Sequence, residues 1–231
     1  MLRMLLARWR QGRRTLAFPP ASPALPERYR GRPVVTGPGA PPVDLGTALF
    51  LPEDEGPRGE GGAALRYGPA YAMATRARAD LVTATGEVEL ARALGRESLR
   101  VFGRSLRLRS VSAGSCSGCE AELVALGNVV FDLARFGVQF VASPRHADGL
   151  VVTGAVSRNM RAALARTYGA MPEPRVVIAV GACAISGGPF RGSPAVLDGV
   201  PKEIPVDLYV PGCPPHPLTL LDGLLRLLGR L

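Results

Sequence analysis

The chain has 231 residues, 47% of them hydrophobic, so it can bury a core as one large domain or as a domain with an extension. Its net charge of +9 comes almost entirely from arginine, and the mixing of arginines with acidic residues beyond residue 32 argues against a nucleic-acid-binding protein. Four cysteines are too few for a secreted disulfide scaffold, which favours a reducing compartment.

Residues 1–14 predict a short, basic, amphipathic helix. Leu2, Leu5, Leu6 and Trp9 recur at the spacing of one helix face, and arginines surround them. Such a helix fits an interfacial contact with anionic lipid or with a membrane subunit. It fits equally an ordinary packing or frayed terminus.

Neither a membrane span nor an export signal is predicted. The longest apolar stretch near an end, 218–231, is interrupted by charged residues and falls short of the roughly 18 apolar residues of a transmembrane helix. Arg13 and Arg14 resemble a twin-arginine signal, but Phe18 and two prolines stand where its apolar region should begin. We therefore expect a protein that does not cross a membrane by itself.

Residues 19–62 form the chain's main stretch rich in proline, glycine and alanine, which predicts an extended connection. The composition turns helical over 67–106, and the run 88–94 is interpreted as a helix leading into the main domain. We therefore expect an irregular, partly helical N-terminal extension over 1–105 and a main domain over 106–231.

The main domain shows the rhythm of a parallel α/β sheet, because short aliphatic runs alternate with Gly/Pro turns and helical stretches. The predicted strands are 106–111, 138–141, 149–153, 175–180 and 207–210. The predicted helices are 120–136, 159–168 and 218–231. The pattern does not give the strand order, and a flavodoxin-like doubly wound sheet is the natural expectation.

All four cysteines follow predicted strands. Cys116 and Cys119 lie in the segment SCSGCE after the first strand, while Cys183 and Cys213 each follow a later strand. Ligands of open parallel sheets bind beyond the carboxyl ends of the strands, so we expect these loops to converge on one point. Four thiolates around one point predict a metal or cluster site.

The spacing leaves the kind of site open. Structural zinc sites usually draw two close cysteine pairs, and only Cys116 and Cys119 form one here. Single cysteines on Gly/Pro loops suit an iron–sulfur cubane, and Pro214 after Cys213 matches the Cys-Pro ending of bacterial ferredoxin cluster runs. An iron–sulfur cluster is favoured, with zinc and unligated or redox thiols as the alternatives.

Several motifs resemble one known family over residues 106–231. They are VSAGSCSGCEAE (111–122), SPRHAD (143–148), VTGAVS (152–157), GACAISGG (181–188) and VPGCPP (210–215). Together they resemble the small iron–sulfur subunit of membrane-bound NiFe hydrogenases and formate hydrogenlyases, which is homologous to the B subunit of NADH:quinone oxidoreductase (complex I). The resemblance implies one [4Fe–4S] cluster on Cys116, Cys119, Cys183 and Cys213, terminal in the electron chain.

The same resemblance implies an electron-transfer subunit of a multisubunit oxidoreductase at the cytoplasmic face of the cell membrane. Its partners are then a large catalytic subunit, in which substrate chemistry takes place, and membrane subunits. Within that family the first cysteine motif resembles a tandem Cys-Cys in complex I subunits and CxxCE in hydrogenase subunits. This chain has CxxCE, so the hydrogenase-like branch is favoured. The alternatives are a quinone-linked subunit like that of NADH dehydrogenase, and a non-redox assembly scaffold with a zinc-filled or empty four-cysteine site.

Two patches in the first hundred residues, PERYRGRP (26–33) and ADLV (79–82), resemble the ferredoxin-type subunit that accompanies the small subunit. That subunit normally carries two CxxCxxCxxxCP runs between such patches, and none of those cysteines is present. The resemblance implies a remnant that holds no cluster and tethers the domain to its neighbours.

Other polar residues near the motifs have ordinary as well as functional interpretations. Glu120 and Glu122 open a helix, where carboxylates are favoured in any case, and the resemblance allows Glu120 to join a proton path at the partner interface. His146, beside Arg145, is interpreted as a structural or interface group. His216 is close enough to Cys213 to tune a cluster without ligating it.

Glycines surround the later cysteines. Gly181, Gly187, Gly188 and Gly212 either permit tight turns and a close approach of the backbone to the cluster, or simply punctuate loops. Neither GxxxxGK[ST] nor a GxGxxG that opens a helix after a strand is present, so nucleotide binding is not predicted.

Overall fold

The computed structural model describes residues 2–19, 23–27, 29–36, 42–48, 64–83, 87–102 and 105–231. The helices in these ranges are α1 (Leu2–Gln11), α2 (Leu45–Ala48), α3 (Arg96–Phe102), α4 (Gly118–Ala125), α5 (Arg158–Gly169), α6 (Gly181–Ser186) and α7 (Pro217–Leu227). The strands are β1 (Pro33–Thr36), β2 (Val43–Asp44), β3 (Ala64–Tyr67), β4 (Val82–Thr83), β5 (Leu106–Ser112), β6 (Val138–Phe140), β7 (Gly149–Thr153), β8 (Val176–Val180) and β9 (Leu208–Val210).

A five-stranded parallel sheet forms the centre of the fold, in the order β6-β5-β7-β8-β9. Counted within the sheet this order is 2-1-3-4-5, which is the flavodoxin-like arrangement of a doubly wound fold. The predicted α/β class and the flavodoxin-like sheet are confirmed, and each predicted strand lies within one residue of the observed one.

The two faces of the sheet belong to separate apolar clusters. Every residue of β7 and β8 is buried, as expected for central parallel strands covered on both faces. Val151 packs in the cluster that contains the leucines of α7, whereas Leu150 and Val152 pack in the cluster that contains Leu164 of α5. This alternation follows from the two-residue period of a strand, and it places helices on both sides of the sheet.

The helix predicted over 120–136 is shorter than expected, because α4 ends at Ala125 and only a 3₁₀ turn, Leu133–Phe136, follows. The side-chain oxygen of Asn128 accepts hydrogen bonds from the backbone N–H groups of Val130 and Phe131 at 2.8 and 3.0 Å. Asparagine in this role stabilises a turn at the expense of the helix. The helix predicted over 218–231 likewise ends at Leu227, and α5 matches its prediction to within one residue.

The helix predicted over 88–94 is wrong. Residues 87–95 are not helical, and α3 begins only after Gly95. The backbone N–H of Ala91 donates to the carbonyl of Ala74 at 2.8 Å, and that of Leu94 donates to the carbonyl of Leu227 at 2.9 Å. These backbone N–H groups therefore donate to distant carbonyl groups instead of to carbonyls within a local helix.

The stretch 19–62 is not a simple extended connection where it is described. β1 pairs with β3 and β2 pairs with β4, both antiparallel. β3 and β4 lie outside that stretch, so its own composition could not indicate the pairing. The remainder of the predicted connection, residues 20–22, 28, 37–41 and 49–62, lies outside the described residues.

The N-terminal part packs against the main domain. Phe18, Ala74 and Phe102 are buried in the same cluster as the leucines of α7, and Thr75 forms a β-bridge with Tyr209 of β9. The division at residue 105 stays a prediction, and residues on its two sides share one core. No helix in the described ranges is long and apolar enough to span a membrane.

Candidate functional site

The four cysteines lie at one edge of the central sheet. Cys116 follows β5 and Cys119 lies in the first turn of α4; Cys183 lies in α6, directly after β8, and Cys213 follows β9. Since β5, β8 and β9 run parallel within one sheet, their carboxyl ends share that edge. Chain segments distant in sequence are thereby brought together.

The thiols are close enough to influence one another electrostatically. Burial raises the pKa of the Cys119 thiol, and the charges of Glu120, Cys183, Cys213 and Cys116 raise it further. Burial, followed by the charges of Cys213 and Cys116, raises the pKa of Cys183 to about 11. Four thiolates at this edge therefore repel one another unless a positively charged group lies between them.

This donor set fits a cation-containing group that binds sulfur. Thiolates are the ligands of iron–sulfur clusters and also of zinc, and binding either group releases the thiol protons. In the described ranges, no group of three or more His, Cys, Asp or Glu side chains has the geometry to hold a single metal ion.

Two glycines let the backbone approach the sulfur atoms. A Cβ added to Gly181, whose φ is +85°, would lie 2.6 Å from the Sγ of Cys119. A Cβ added to Gly188, whose φ is +53°, would lie 2.9 Å from the Sγ of Cys183. Neither position has room for a side chain, so both glycines have the close approach that the sequence suggested.

The other two glycines serve turns beside the site. A Cβ on Gly187 would lie 2.8 Å from a carboxylate oxygen of Asp198, and one on Gly212 would lie 2.4 Å from the Cα of Pro215. Both positions contact loop residues and no cysteine sulfur. These two glycines therefore allow the tight turns of the loops.

Glu120 ties the first cysteine loop to the sheet. Its Oε1 accepts hydrogen bonds from the hydroxyls of Ser115 and Thr153, each at 2.5 Å. Burial alone would raise the pKa of this carboxyl, but hydrogen bonds from Ser115, Thr153 and Ser112 outweigh burial and lower it. Glu120 is thus an ionised acceptor that fixes the loop, and its place in a proton path stays a prediction.

His216 is the N-cap of α7. Its Nδ1 accepts a hydrogen bond from the backbone N–H of Leu218 at 3.2 Å, so the proton of the neutral ring is on Nε2. Burial lowers the pKa of His216.

A cavity of about 300 Å³ lies beside His216, and its lining includes Cys213, Glu122 and Tyr29. Burial raises the pKa of Glu122.

Tyr29 and Thr219 are not among the predicted site residues, although both line this cavity. The PERYRGRP patch that contains Tyr29 was the only signal, and it said nothing about the cysteine site. Arg145 and His146 are exposed and lie at the other end of the sheet. Nearby Asp148 accepts a hydrogen bond from the backbone N–H of Arg107, at the start of β5.

Residues 116–227 match the family described as the 20 kDa subunit of NADH:ubiquinone oxidoreductase. The chain is 51% identical over 136 residues to the B subunit of the NADH-quinone oxidoreductase of Heliobacterium modesticaldum, covering 58% of this chain and 77% of that protein. It is 45% identical over 133 residues to formate hydrogenlyase subunit 7 of Escherichia coli, covering 58% of this chain and 52% of that protein. The chain thus spans about half the length of the second relative.

Among solved structures, the chain is similar to part of the membrane-bound sulfane sulfur reductase, described as an archaeal respiratory membrane complex. The TM-score is 0.51 at 32% sequence identity, covering 57% of this chain and 72% of that chain. The likeness extends the sequence match to the arrangement of the backbone.

Proposed function

Because the chain belongs to the family of the 20 kDa subunit of NADH:ubiquinone oxidoreductase, we propose that it is an electron-transfer subunit with one [4Fe–4S] cluster on Cys116, Cys119, Cys183 and Cys213. Membership of an oxidoreductase subunit family confirms the resemblance seen in the sequence. The resemblance of the N-terminal part to a ferredoxin-type subunit stays a prediction. The observation that carries the proposal is the convergence of the cysteine loops at one sheet edge, where the position of a Cβ on Gly181 is 2.6 Å from the Sγ of Cys119 and 3.4 Å from the carbonyl oxygen of Gly212, beside Cys213.

In this proposal the cysteines bind the cluster and nearby glycines keep space for it. When bound, a [4Fe–4S] cluster accepts and donates one electron at a time. Cys119 is buried and would hold the cluster on the side that faces the protein interior. Cys116 and Cys213 are exposed, so the opposite side of the cluster would face a partner subunit. Gly181 and Gly188 keep side chains away from the sulfurs of Cys119 and Cys183.

The proposed partner is a large catalytic subunit, which carries out the chemistry on the substrate. Val124 of α4 is 78% exposed and Phe140 at the end of β6 is 39% exposed, so apolar side chains are available for such a contact near the first cysteine loop. The CxxCE motif favours a partner like the large subunit of NiFe hydrogenases. A quinone-linked partner like the D subunit of complex I is the alternative, since relatives of both kinds match the chain.

The competing function is a non-redox scaffold with a zinc-filled or empty site. Anaerobic purification of the full chain, with iron, zinc and acid-labile sulfide analysis and EPR after reduction, separates the two. We expect four irons and four sulfides per chain and an EPR signal of a reduced cubane. A colourless protein with one zinc and no sulfide would refute electron transfer.

We further propose that α1 brings the chain to the cytoplasmic face of the cell membrane. None of its residues is buried, and Leu2, Leu5 and Trp9 are 71%, 60% and 81% exposed. Residues 2–19 contain arginines and no acidic residue, so the charge suits anionic headgroups. The alternative is contact of this face with a membrane protein of the same complex, and binding to lipid vesicles distinguishes the two.

A further inference from the structure

Part of the N-terminal extension reaches the loop that carries Cys213, although every cysteine of the chain lies at position 116 or later. Tyr29 and Arg30 line the cavity of about 300 Å³ next to Cys213, together with Pro214 and His216. The extension therefore forms a wall of the cysteine site without supplying a ligand.

Tyr29 packs against His216, three residues after Cys213. The two rings meet edge to face, with centroids 5.3 Å apart and planes at 83°. Phe131 makes a similar contact with the same histidine, at 6.0 Å and 80°. His216 is thus held by two aromatic rings, of which one comes from the main domain and one from the extension.

Tyr29 also contacts the first turn of α7. Its hydroxyl lies 3.5 Å from the Oγ1 of Thr219, which is fully buried. Tyr29 is half-buried, and burial raises the pKa of its hydroxyl. Through His216 and Thr219, this one side chain touches both the N-cap and the first turn of the helix that follows the Cys213 loop.

The backbone fixes Tyr29 in this place. Gly31 donates a hydrogen bond to the carbonyl of Gly68 at 3.0 Å, and Arg32 donates to the carbonyl of Ala70 at 2.7 Å. A Cβ on Gly31 would lie 2.4 Å from the carbonyl oxygen of Ala70 and 2.8 Å from the ring of Tyr29. Position 31 has no room for a side chain, so the chain passes tightly beneath the tyrosine.

A second attachment joins the extension to the strand that leads into the loop. Thr75 and Tyr209 of β9 exchange two backbone hydrogen bonds, at 3.0 and 2.9 Å. β9 ends at Val210, three residues before Cys213. The extension is therefore attached both before and after the Cys213 loop, at β9 through Thr75 and at α7 through Tyr29.

From these contacts we infer that Tyr29 is a positioning residue of the cysteine site, through which the extension sets the reduction potential of a cluster that it does not ligate. This inference rests on the proposed cluster. Tyr29 holds His216 and the start of α7, and its ring forms one wall of the cavity that Cys213 also lines, so removing the ring widens the access of water to the Cys213 loop. Reduction adds one electron and one negative charge to the cluster, and water stabilises that added charge. Removal of the ring therefore favours the reduced form.

The test compares variants of the full chain, purified anaerobically with the cluster bound. Tyr29→Ala removes the ring, Tyr29→Phe keeps it, and Tyr71→Ala removes a ring that packs against Phe18 in the same extension without lining this cavity. EPR-monitored redox titration gives each midpoint potential. We expect Tyr29→Ala to raise the one-electron reduction equilibrium constant by about threefold to tenfold, where tenfold corresponds to 59 mV.

The two other variants are expected to stay within threefold of the unsubstituted chain. A change smaller than threefold in Tyr29→Ala, or an equal change in Tyr71→Ala, overturns the inference. If the unsubstituted chain contains no iron or sulfide, it is the proposed function that fails. Should Tyr29→Ala lose the cluster, Tyr29→Leu replaces it in the same comparison, because leucine retains part of the apolar volume.

Hydrogen exchange on the cluster-free chain gives a readout independent of the cluster. The N–H of Leu218 donates to the His216 ring, and that of Thr219 donates to the His216 carbonyl at 2.9 Å. We expect these amides to exchange at least threefold faster in Tyr29→Ala than in Tyr71→Ala. Equal protection in the two variants means that Tyr29 does not position the loop.

Discussion

The carboxylate of Glu120 accepts a hydrogen bond from the hydroxyl of Thr153, which joins the residue after Cys119 to the last residue of the central strand β7. Thr153 is fully buried, and its hydroxyl donates to the carboxylate from the central strand, while Ser112 at the end of β5 donates from the neighbouring strand. The first cysteine loop is therefore fixed to the middle of the sheet by a charged acceptor and a buried donor.

Thr153→Val is expected to lower the free energy of unfolding of the cluster-free chain by about 1–3 kcal/mol, because valine leaves the Glu120 carboxylate without that donor. Urea unfolding measures the change. Thr153→Ser keeps the hydroxyl and should cost clearly less. In a Glu120→Gln background the effect of Thr153→Val should shrink, and an undiminished effect would show that the lost stability comes from packing.

The acid limb of the stability curve tests the same contact. Hydrogen bonds hold the pKa of Glu120 below its ordinary value of 4.5. A carboxyl with a lowered folded-state pKa stabilises the fold above its unfolded-state pKa, and this contribution is lost as the pH falls through the folded-state value. The stability of the unsubstituted chain relative to Glu120→Gln should therefore decrease as the pH falls below 4.5.

The comparison with Glu120→Gln is needed because other carboxyls oppose this trend. Burial raises the pKa of both Glu122 and Asp222, so each of these groups favours the folded state at low pH. The difference between the two chains cancels their contribution. A difference that stays constant from pH 7 to pH 3 would contradict an ionised, hydrogen-bonded Glu120.

At high pH the thiols should destabilise the cluster-free chain. Burial, with the charge of Cys213 next, raises the pKa of Cys183 from 9.0 to about 11. A thiol with a raised folded-state pKa contributes stability that is present below pH 9 and lost as the pH rises through the folded-state value. Urea unfolding at pH 8 and pH 10, under reducing conditions, should show this loss.

Cys183→Ser is the matched control, because serine does not titrate in this range. Burial also raises the pKa of Tyr29 and Tyr209, so both chains lose some stability at high pH. The unsubstituted chain should lose more. Equal losses in the two chains would mean that the Cys183 thiol ionises as easily in the folded as in the unfolded state.

Loss of a single cysteine should remove the cluster. We expect Cys183→Ser and Cys213→Ser to contain less than a tenth of the iron and sulfide of the unsubstituted chain, because each removes one of four thiolates. Ser193→Ala is the control, because the Ser193 side-chain oxygen accepts a hydrogen bond from the backbone N–H of Ala195, at 3.3 Å, within its own loop. Full occupancy in either cysteine variant would remove that residue from the ligand set.

The central sheet and the placement of its cysteines were predictable because both depend on local sequence. β7 and β8 are continuous apolar runs, and a cysteine follows three of the strand ends. The contact of Tyr29 with Thr219 spans 190 positions, and no local pattern indicates such a pairing. The helix predicted over 88–94 does not form for the same reason, since the N–H groups of Ala91 and Leu94 donate to the distant carbonyls of Ala74 and Leu227.

The last prediction concerns α1 and the membrane. Leu2, Leu5, Leu6 and Trp9 fall within a stripe about 100° wide when each residue advances the helix by about 100°. Arginines lie on both sides of that stripe, where their side chains reach headgroups while the apolar face enters the interface.

Because all of these side chains are exposed, we expect the full chain to sediment with vesicles rich in phosphatidylglycerol and to remain in solution with pure phosphatidylcholine vesicles. Trp9→Ala should weaken binding severalfold, since Trp9 is 81% exposed and offers the largest ring of the stripe. High salt should weaken it as well, because part of the attraction is between exposed charges.

Val124→Ala is the control, because Val124 is 78% exposed but lies on α4. It should bind vesicles as the unsubstituted chain does. The body of the protein stays close to the surface in this arrangement, since the backbone N–H of Leu16 donates to the carbonyl of Val130 at 2.9 Å and Phe18 is buried in the core. Absence of vesicle binding at low salt would refute the contact of α1 with lipid, and would leave a membrane protein of the same complex or an ordinary frayed terminus as the alternatives.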